Sequence, residues 1–154
     1  MPKLYIMRGL PGSGKSTKAK EIYDSYSFVP NVTRHGPNGE SEGIKRIHIC
    51  STDSYFIRNG IYKFDAAKLG LYHEQNLHDV INWMDLGDDV IVDNTNIRRQ
   101  DFQKYITAAN QHSYEVIEIV IGEFTPDACA IYHARNKHGV PLSSILRMAS
   151  KWEP

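Results

Sequence analysis

Residues Gly9 through Ser16 read Gly-Leu-Pro-Gly-Ser-Gly-Lys-Ser, which satisfies the phosphate-loop pattern G-x-x-x-x-G-K-[ST]. Gly9, Pro11, Gly12, Ser13 and Gly14 make a loop whose backbone N–H groups can close around phosphate oxygens. The helix expected after it adds unpaired donors and a favourable dipole. Lys15 places a positive charge within reach of the β- and γ-phosphates of a nucleotide such as ATP. Ser16 offers a hydroxyl to Mg²⁺, and Thr17 stands where it can touch an inner phosphate. The plain alternative is a glycine-rich turn capped by an exposed lysine.

Two acids and a basic cluster extend this chemistry. Asp53 lies in Ser51-Thr52-Asp53-Ser54-Tyr55-Phe56, three residues past a strand-like run, where its carboxylate can accept a proton from a hydroxyl in line with the γ-phosphate. An aspartate at such a junction also serves as a helix N-cap. Asp93 closes Val90-Ile91-Val92 and matches the acid that holds Mg²⁺ beside a phosphate loop. The Asn94-Thr95-Asn96 run after it offers amides and a hydroxyl, which equally suit an Asx-type turn. Near the carboxyl end, Arg135-Asn136-Lys137-His138-Gly139-Val140-Pro141 gathers two fixed cations, and Arg135 and Lys137 can cover the oxygens of a migrating phosphoryl group. The same residues also fit a helix C-terminus stopped at Gly139. His73 and His78, like His133 and His138, are five apart, which puts neither pair on one helical face as a ligand set.

These residues depend on the elements that carry them. Lys3 to Met7 reads as a buried strand leading into the glycine loop, and Lys15 to Tyr26 as the helix that leaves it, with Ala19, Ile22 and Tyr23 on one face. Residues 27–45 are rich in Gly and Pro and predict a long loop or a hairpin insertion. Arg46 to Cys50 is a second strand. From Asp65 to Asp85, Leu69, Tyr72, Leu77, Val80, Ile81 and Met84 fall near three-and-four spacing, a long amphipathic helix ended by Gly87. Val90 to Val92 is a third strand, a helix with Phe102, Tyr105, Ile106 and Ala109 inward follows, and Tyr114 to Ile121 is a fourth strand. Residues 126–138 read as helix, and Pro141 as the first turn of another that runs through Ile145 and Met148. Strands alternating with helices imply a parallel sheet covered on both faces, with ligands beyond the carboxyl ends of the strands. Each of the three polar clusters at Gly9, Asp53 and Asp93 follows a strand, so they are expected to converge on one rim.

At 154 residues, 41% hydrophobic and 23% charged, the chain predicts a single domain spanning 1–154 with an ordinary core. Eighteen basic and eighteen acidic side chains cancel, which argues against a general coat for nucleic acid or anionic membrane. Residues 1–77 nonetheless carry 11 basic and 7 acidic side chains and residues 78–154 the reverse, 7 and 11. Cys50 and Cys129 lack C-x-x-C spacing, which argues against a zinc or redox site and, with no apolar stretch of membrane-spanning length, suggests a cytoplasmic protein.

The ordered set GLPGSGKST, STDSYF, VIVDNTN and RNKHGVP, the last followed by a helix with Met148 and a nearby Trp152, resembles the phosphate-loop kinases related to polynucleotide 5′-hydroxyl kinases, an AAA-type ATP-binding kinase domain. The resemblance covers nearly the whole chain apart from residues 27–45. It implies a three-layer α/β fold with a central, mainly parallel sheet and a C-terminal helical lid. It further implies ATP and Mg²⁺ as cofactors, with transfer of the γ-phosphate to the 5′-hydroxyl of DNA or RNA. Carried over by motif, Asp53 is the general base, Lys15 and Ser16 the phosphate-loop lysine and serine, Arg135 the lid arginine, and Ser16 with Asp93 the Mg²⁺ holders. Two positions depart from a phage member of the family. Phe56 stands where that enzyme has a phosphate-holding arginine, with Arg58 nearby, and Asn94 rather than an acid directly precedes Thr95. Phe56 and the neutral charge favour an alternative acceptor, a nucleoside, sugar or similar small alcohol. A nucleotide-dependent binding module with little transferase activity is the other class of reading.

Overall fold

Leu4 and Ile6 face one side of the first strand and Tyr5 and Met7 the other, the period of two expected where both faces of a sheet are covered. In the computed structural model, which describes residues 1–35 and 41–154, that strand is β1 (Lys3–Arg8). It lies within a four-stranded, wholly parallel sheet with β4 (Ile47–Cys50), β7 (Asp89–Asp93) and β8 (Glu115–Val120), in the order β4-β7-β1-β8. The register sets Met7 opposite Asp93 and Cys50 opposite Val92. The ends of β1, β4 and β7 therefore finish level, and the three polar clusters emerge along one edge.

Helix α1 (Lys15–Ser25) covers one face, where Met7, Ala19, Ile47 and Ile91 are buried together. Helices α2 (Leu69–Asp85) and α3 (Arg99–Gln111) cover the other, burying Leu4, Ile6, Val80, Met84, Val90, Val92, Phe102 and Tyr105. A third cluster of Leu10, Ile97, Cys129, Tyr132 and Ile145 joins the phosphate loop to α4 (Pro126–Arg135) and α5 (Leu142–Ser150), the C-terminal helical pair. Both cysteines are buried and free.

Boundaries follow local chemistry. Thr125 caps α4 by accepting from the Ala128 N–H at 3.2 Å, with Pro126 opening the helix. The helix expected over 126–138 ends at Arg135 because Asn136 turns extended, with φ −70° and ψ 127°. Pro141, expected within the first turn of α5, is its N-cap instead. The expected long helix from Asp65 begins as a single 3₁₀ turn, where the Asp65 carboxylate accepts from the Ala67 N–H, and becomes α-helical at Leu69. The loop-or-hairpin expectation for 27–45 falls partly on residues 36–40, outside the described residues. On either side of them β2 (Val29–His35) and β3 (Ser41–Ile44) pair antiparallel. A second small hairpin, β5 (Ile57–Arg58) and β6 (Ile61–Tyr62), turns through Asn59 and Gly60, both at positive φ.

Among the described residues, the largest fully buried side chain is charged. Arg8, 1% exposed, ends β1 and donates to the backbone oxygens of Asn96, Ile97 and Glu153 and to the Glu118 carboxylate. Its guanidinium lies 4.5 Å from the Phe102 ring centre and 4.2 Å from that of Trp152. One side chain thus ties the end of the central strand to the loop after β7 and to the C-terminal residues. No helix among the described residues is long and apolar enough to cross a membrane.

Candidate functional site

The loop from Gly9 to Gly14 is held by its own backbone and by α4. The Gly9 N–H donates to Thr95 O at 3.0 Å, and the Ser13 N–H to Leu10 O at 3.1 Å. Gly12 sits at φ +80°, and a Cβ there would lie 2.3 Å from Tyr132 O, so the close approach of α4 requires glycine. Gly14, at φ +102°, is the N-cap of α1, and the first turn of the helix from Lys15 to Thr17 lines the cleft. Pro11 lines the same mouth, and Thr17 is exposed on the first turn of α1.

Lys15 is buried, and its Nζ donates to Leu10 O at 3.3 Å. Burial pulls this ammonium below its ordinary range, against the opposing charges of Asp93 and Asp53. Ser16 Oγ donates to Asp93 Oδ2 at 2.8 Å, so the phosphate loop and the acid at the end of β7 meet as their strand register requires. Burial raises the Asp93 carboxyl above its ordinary range, with Lys15 and the Ser16 hydroxyl opposing. Among the described residues, Asp93 Oδ1 and Ser13 Oγ are buried without a hydrogen-bond partner. An unpaired carboxylate oxygen beside a serine hydroxyl and a phosphate cradle suits a hard divalent cation that keeps most of its ligands as water and phosphate. No cluster of three or more His, Cys, Asp or Glu able to hold a metal exists among the described residues.

Asp53 occupies the 3₁₀ turn Thr52–Phe56 that follows β4. Ser51 is the N-cap, and the exposed Asp53 carboxylate accepts from Tyr62 Oη at 3.4 Å. The turn is fixed from below. The Thr52 N–H donates to Asn94 Oδ1 at 2.9 Å, and Thr52 Oγ1 lies 3.0 Å from His73 Nδ1. Asn94 thus spans from the loop after β7 to the turn that carries Asp53. Asn96, at φ +47°, donates to Met7 O at 2.8 Å. The run that suits an Asx-type turn is therefore a set of ties between strand ends.

Arg135, the last residue of α4, reaches across to the loop, with Nε donating to Gly12 O at 2.7 Å and Nη2 to Ser13 O at 3.5 Å. Lys137 is exposed on the mouth beyond it. Every residue predicted for the site lines one cleft of about 1330 Å³ except Gly9, which lies behind the loop. The sequence reading passes over Tyr62, Phe64 and Arg147, which line the same cleft. Asn59-Gly60, a strong two-residue hairpin signal, marks the turn that delivers Tyr62. Phe64 and Arg147 have no comparable local signal. Phe56 is buried against Tyr62, Phe64 and Tyr72, and Arg58 is exposed outside the cleft lining.

Comparison with known proteins agrees with this architecture. A family model described as an AAA domain matches residues 4–154. NEDD4-binding protein 2 from Homo sapiens is 32% identical over 154 residues, covering 97% of this chain and 8% of that protein. The chain therefore spans less than a tenth of that relative's length. Among solved structures, a chain of the Pnkp1/Rnl/Hen1 RNA repair complex aligns with a TM-score of 0.69 at 18% identity, covering 98% of this chain and 44% of that one. Chaetomium thermophilum Kti12, solved in complex with ADP-AlF3, aligns with a TM-score of 0.60 at 14% identity, covering 98% and 80%. The shared fold is the α/β arrangement of phosphate-loop kinases, a central parallel sheet with flanking helices.

Proposed function

The chain belongs to the AAA-domain family, and from that premise and the geometry of the rim we propose that it transfers the γ-phosphate of ATP to a hydroxyl, with the 5′-hydroxyl of DNA or RNA as the leading acceptor. The observation that carries the reading is the placement of an accessible carboxylate, Asp53, on the same cleft as a phosphate loop whose Ser16 already contacts Asp93. A nucleotide-binding module needs the loop; it has no use for a second acid on the acceptor side.

Bound ATP with Mg²⁺ supplies the transferable phosphoryl group and neutralises part of its charge. Ser16 and Asp93 would hold the cation, consistent with the unpaired Asp93 Oδ1. The backbone N–H groups at the start of α1 and the Lys15 ammonium bind the phosphates. Asp53 accepts the hydroxyl proton as the acceptor oxygen bonds to the γ-phosphorus. The bond from that phosphorus to the bridging oxygen breaks, and ADP departs with the electron pair. Arg135, held at the loop by Gly12 O and Ser13 O, exchanges those bonds for oxygens of the migrating group.

A small-alcohol acceptor is the second reading, supported by the burial of Phe56 where a phosphate-holding arginine is expected. Incubation of the chain with γ-labelled ATP and a panel of 5′-hydroxyl DNA, 5′-hydroxyl RNA, nucleosides and sugars separates the two. Asp53→Asn retains ATP binding and loses transfer by about a hundredfold or more. Lys15→Ala loses both. Unchanged transfer by Asp53→Asn refutes the base assignment, and ATP hydrolysis with no labelled acceptor refutes the kinase reading.

A further inference from the structure

The cleft has two chemically different sides. Its fixed cations among the described residues, Lys15, Lys18, Arg135, Lys137 and Arg147, belong to the phosphate-loop helix and to the lid with its connecting turn. The side that carries Asp53 is formed instead by Ile57, Tyr62, Phe64, Leu69 and His73, with no Lys or Arg among the described lining residues. His73 keeps its imidazole neutral more readily than an ordinary histidine, because burial and then the charge of Lys104 lower its pKa.

Tyr62 stands at the centre of this wall. Its ring rests edge-on against buried Phe56, with centroids 6.2 Å apart, and Phe64 lies 5.1 Å from the same Phe56 ring. Across the mouth, His138 of the lid lies over Tyr62 with ring centroids 4.2 Å apart and planes 48° apart. Its hydroxyl reaches Asp53, and burial followed by the nearby Asp53 charge pushes the phenol up to about 12, so it remains a donor at neutral pH. Ile57 and Phe64, both on the cleft lining, are 46% and 53% exposed. Single exposed apolar residues are ordinary, whereas a group of them at the mouth of a cleft marks a binding surface.

Resting on the kinase reading above, we propose that Tyr62 determines acceptor specificity: a terminal nucleoside whose hydroxyl is presented to Asp53 displaces His138 from over the Tyr62 ring and stacks there in its place, and the acceptor is read by that base and not by backbone phosphates. A phosphate-reading wall requires lysine or arginine and gives steep salt dependence. An aromatic wall holds bases through stacking and tolerates sequence and salt. The buried Phe56 serves this purpose, because it props the platform from beneath. Stacking also accounts for how a domain of zero net charge can take a nucleic-acid end or a free nucleoside with the same residues.

The test uses γ-labelled ATP and four 5′-hydroxyl acceptors: a nucleoside 3′-monophosphate, a short oligonucleotide, a long oligonucleotide, and the long one with an abasic 5′-terminal residue. Each is assayed at low and physiological salt. The kcat/KM values for the first three agree within about threefold and barely change with salt, and the abasic terminus loses about tenfold or more. Tyr62→Ala raises the acceptor KM by a similar factor and leaves the KM for ATP unchanged, whereas Tyr62→Phe keeps the wild-type acceptor KM. Equilibrium binding of the short oligonucleotide shows the same insensitivity to salt. Values of kcat/KM that climb with length, fall steeply with salt and ignore removal of the base overturn the inference while leaving the kinase reading intact. Transfer to no acceptor overturns the kinase reading, and this inference with it.

Discussion

Replacing Arg8 by methionine removes a buried cation while keeping much of its length. The loss can be worked from its partners. The carbonyls of Asn96 and Ile97, which accept from Arg8 at 3.0 and 3.3 Å, lose their donor in a dry environment, at about 1–3 kcal/mol each. The contacts to Phe102 and Trp152 add about 0.5–2 kcal/mol each. Opposing these is the relief of no longer burying a guanidinium. Glu118 is not stranded, because Arg99 also holds it at 2.7 Å. The net loss is then about 3–5 kcal/mol. For a chain of this size each kcal/mol moves Tm by about 2–4 °C, so the midpoint falls by roughly 6–20 °C. Urea and thermal unfolding followed by circular dichroism measure it. Glu118→Gln is the control, because Arg8 keeps its carbonyl partners and the half-exposed carboxylate contributes less than about 1 kcal/mol. A loss below about 1 kcal/mol in Arg8→Met would refute the view that Arg8 ties β1 to the loop after Asp93 and to the C-terminal residues.

Gly12→Ala forces a Cβ to within 2.3 Å of Tyr132 O at φ +80°, so it costs about 2 kcal/mol or more and abolishes tight nucleotide binding; wild-type affinity for ADP by calorimetry contradicts this. His112 caps α3 through Nδ1 on Ala108 O at 2.8 Å and pairs through Nε2 with Asp85 at 2.9 Å. The Ala108 carbonyl first, and then Asp85, raise its pKa above the ordinary 6.5. The stabilisation is therefore complete below that ordinary value and is lost as pH rises through the higher folded-state value. His112→Gln accordingly destabilises the protein more at mildly acidic than at alkaline pH; an equal loss at both would remove the imidazolium from the account.

Most of the architecture is legible in local pattern. The glycine loop between an apolar run and a polar helix, the three-and-four spacing over 69–84, and the acids placed directly after apolar runs lead to one parallel sheet with one functional rim, and the strand register confirms that rim through Met7 opposite Asp93. What local pattern misses is long-range. Arg8 reads as an ordinary charged strand end until the residues 88, 89 and 145 positions away supply its carbonyls. Tyr62 reads as one tyrosine among nine, because its meaning comes from Asp53, Phe56 and His138 meeting across the cleft. Asn94 looks like a turn residue, and its bond to the Thr52 N–H depends on β4 and β7 being neighbours in the sheet.

The sequence by itself determined the phosphate loop, the alternation of strands and helices, and the acids that follow the strands, because these rest on backbone conformation and on hydrophobic period, which neighbours along the chain set. Tertiary structure decided which charge faces which. It buried Lys15 between two acids, left one oxygen of Asp93 unpaired, brought Arg135 back onto the phosphate loop and raised an aromatic wall beside Asp53. Those outcomes depend on burial and on distance through space, and neither is a property of adjacent residues.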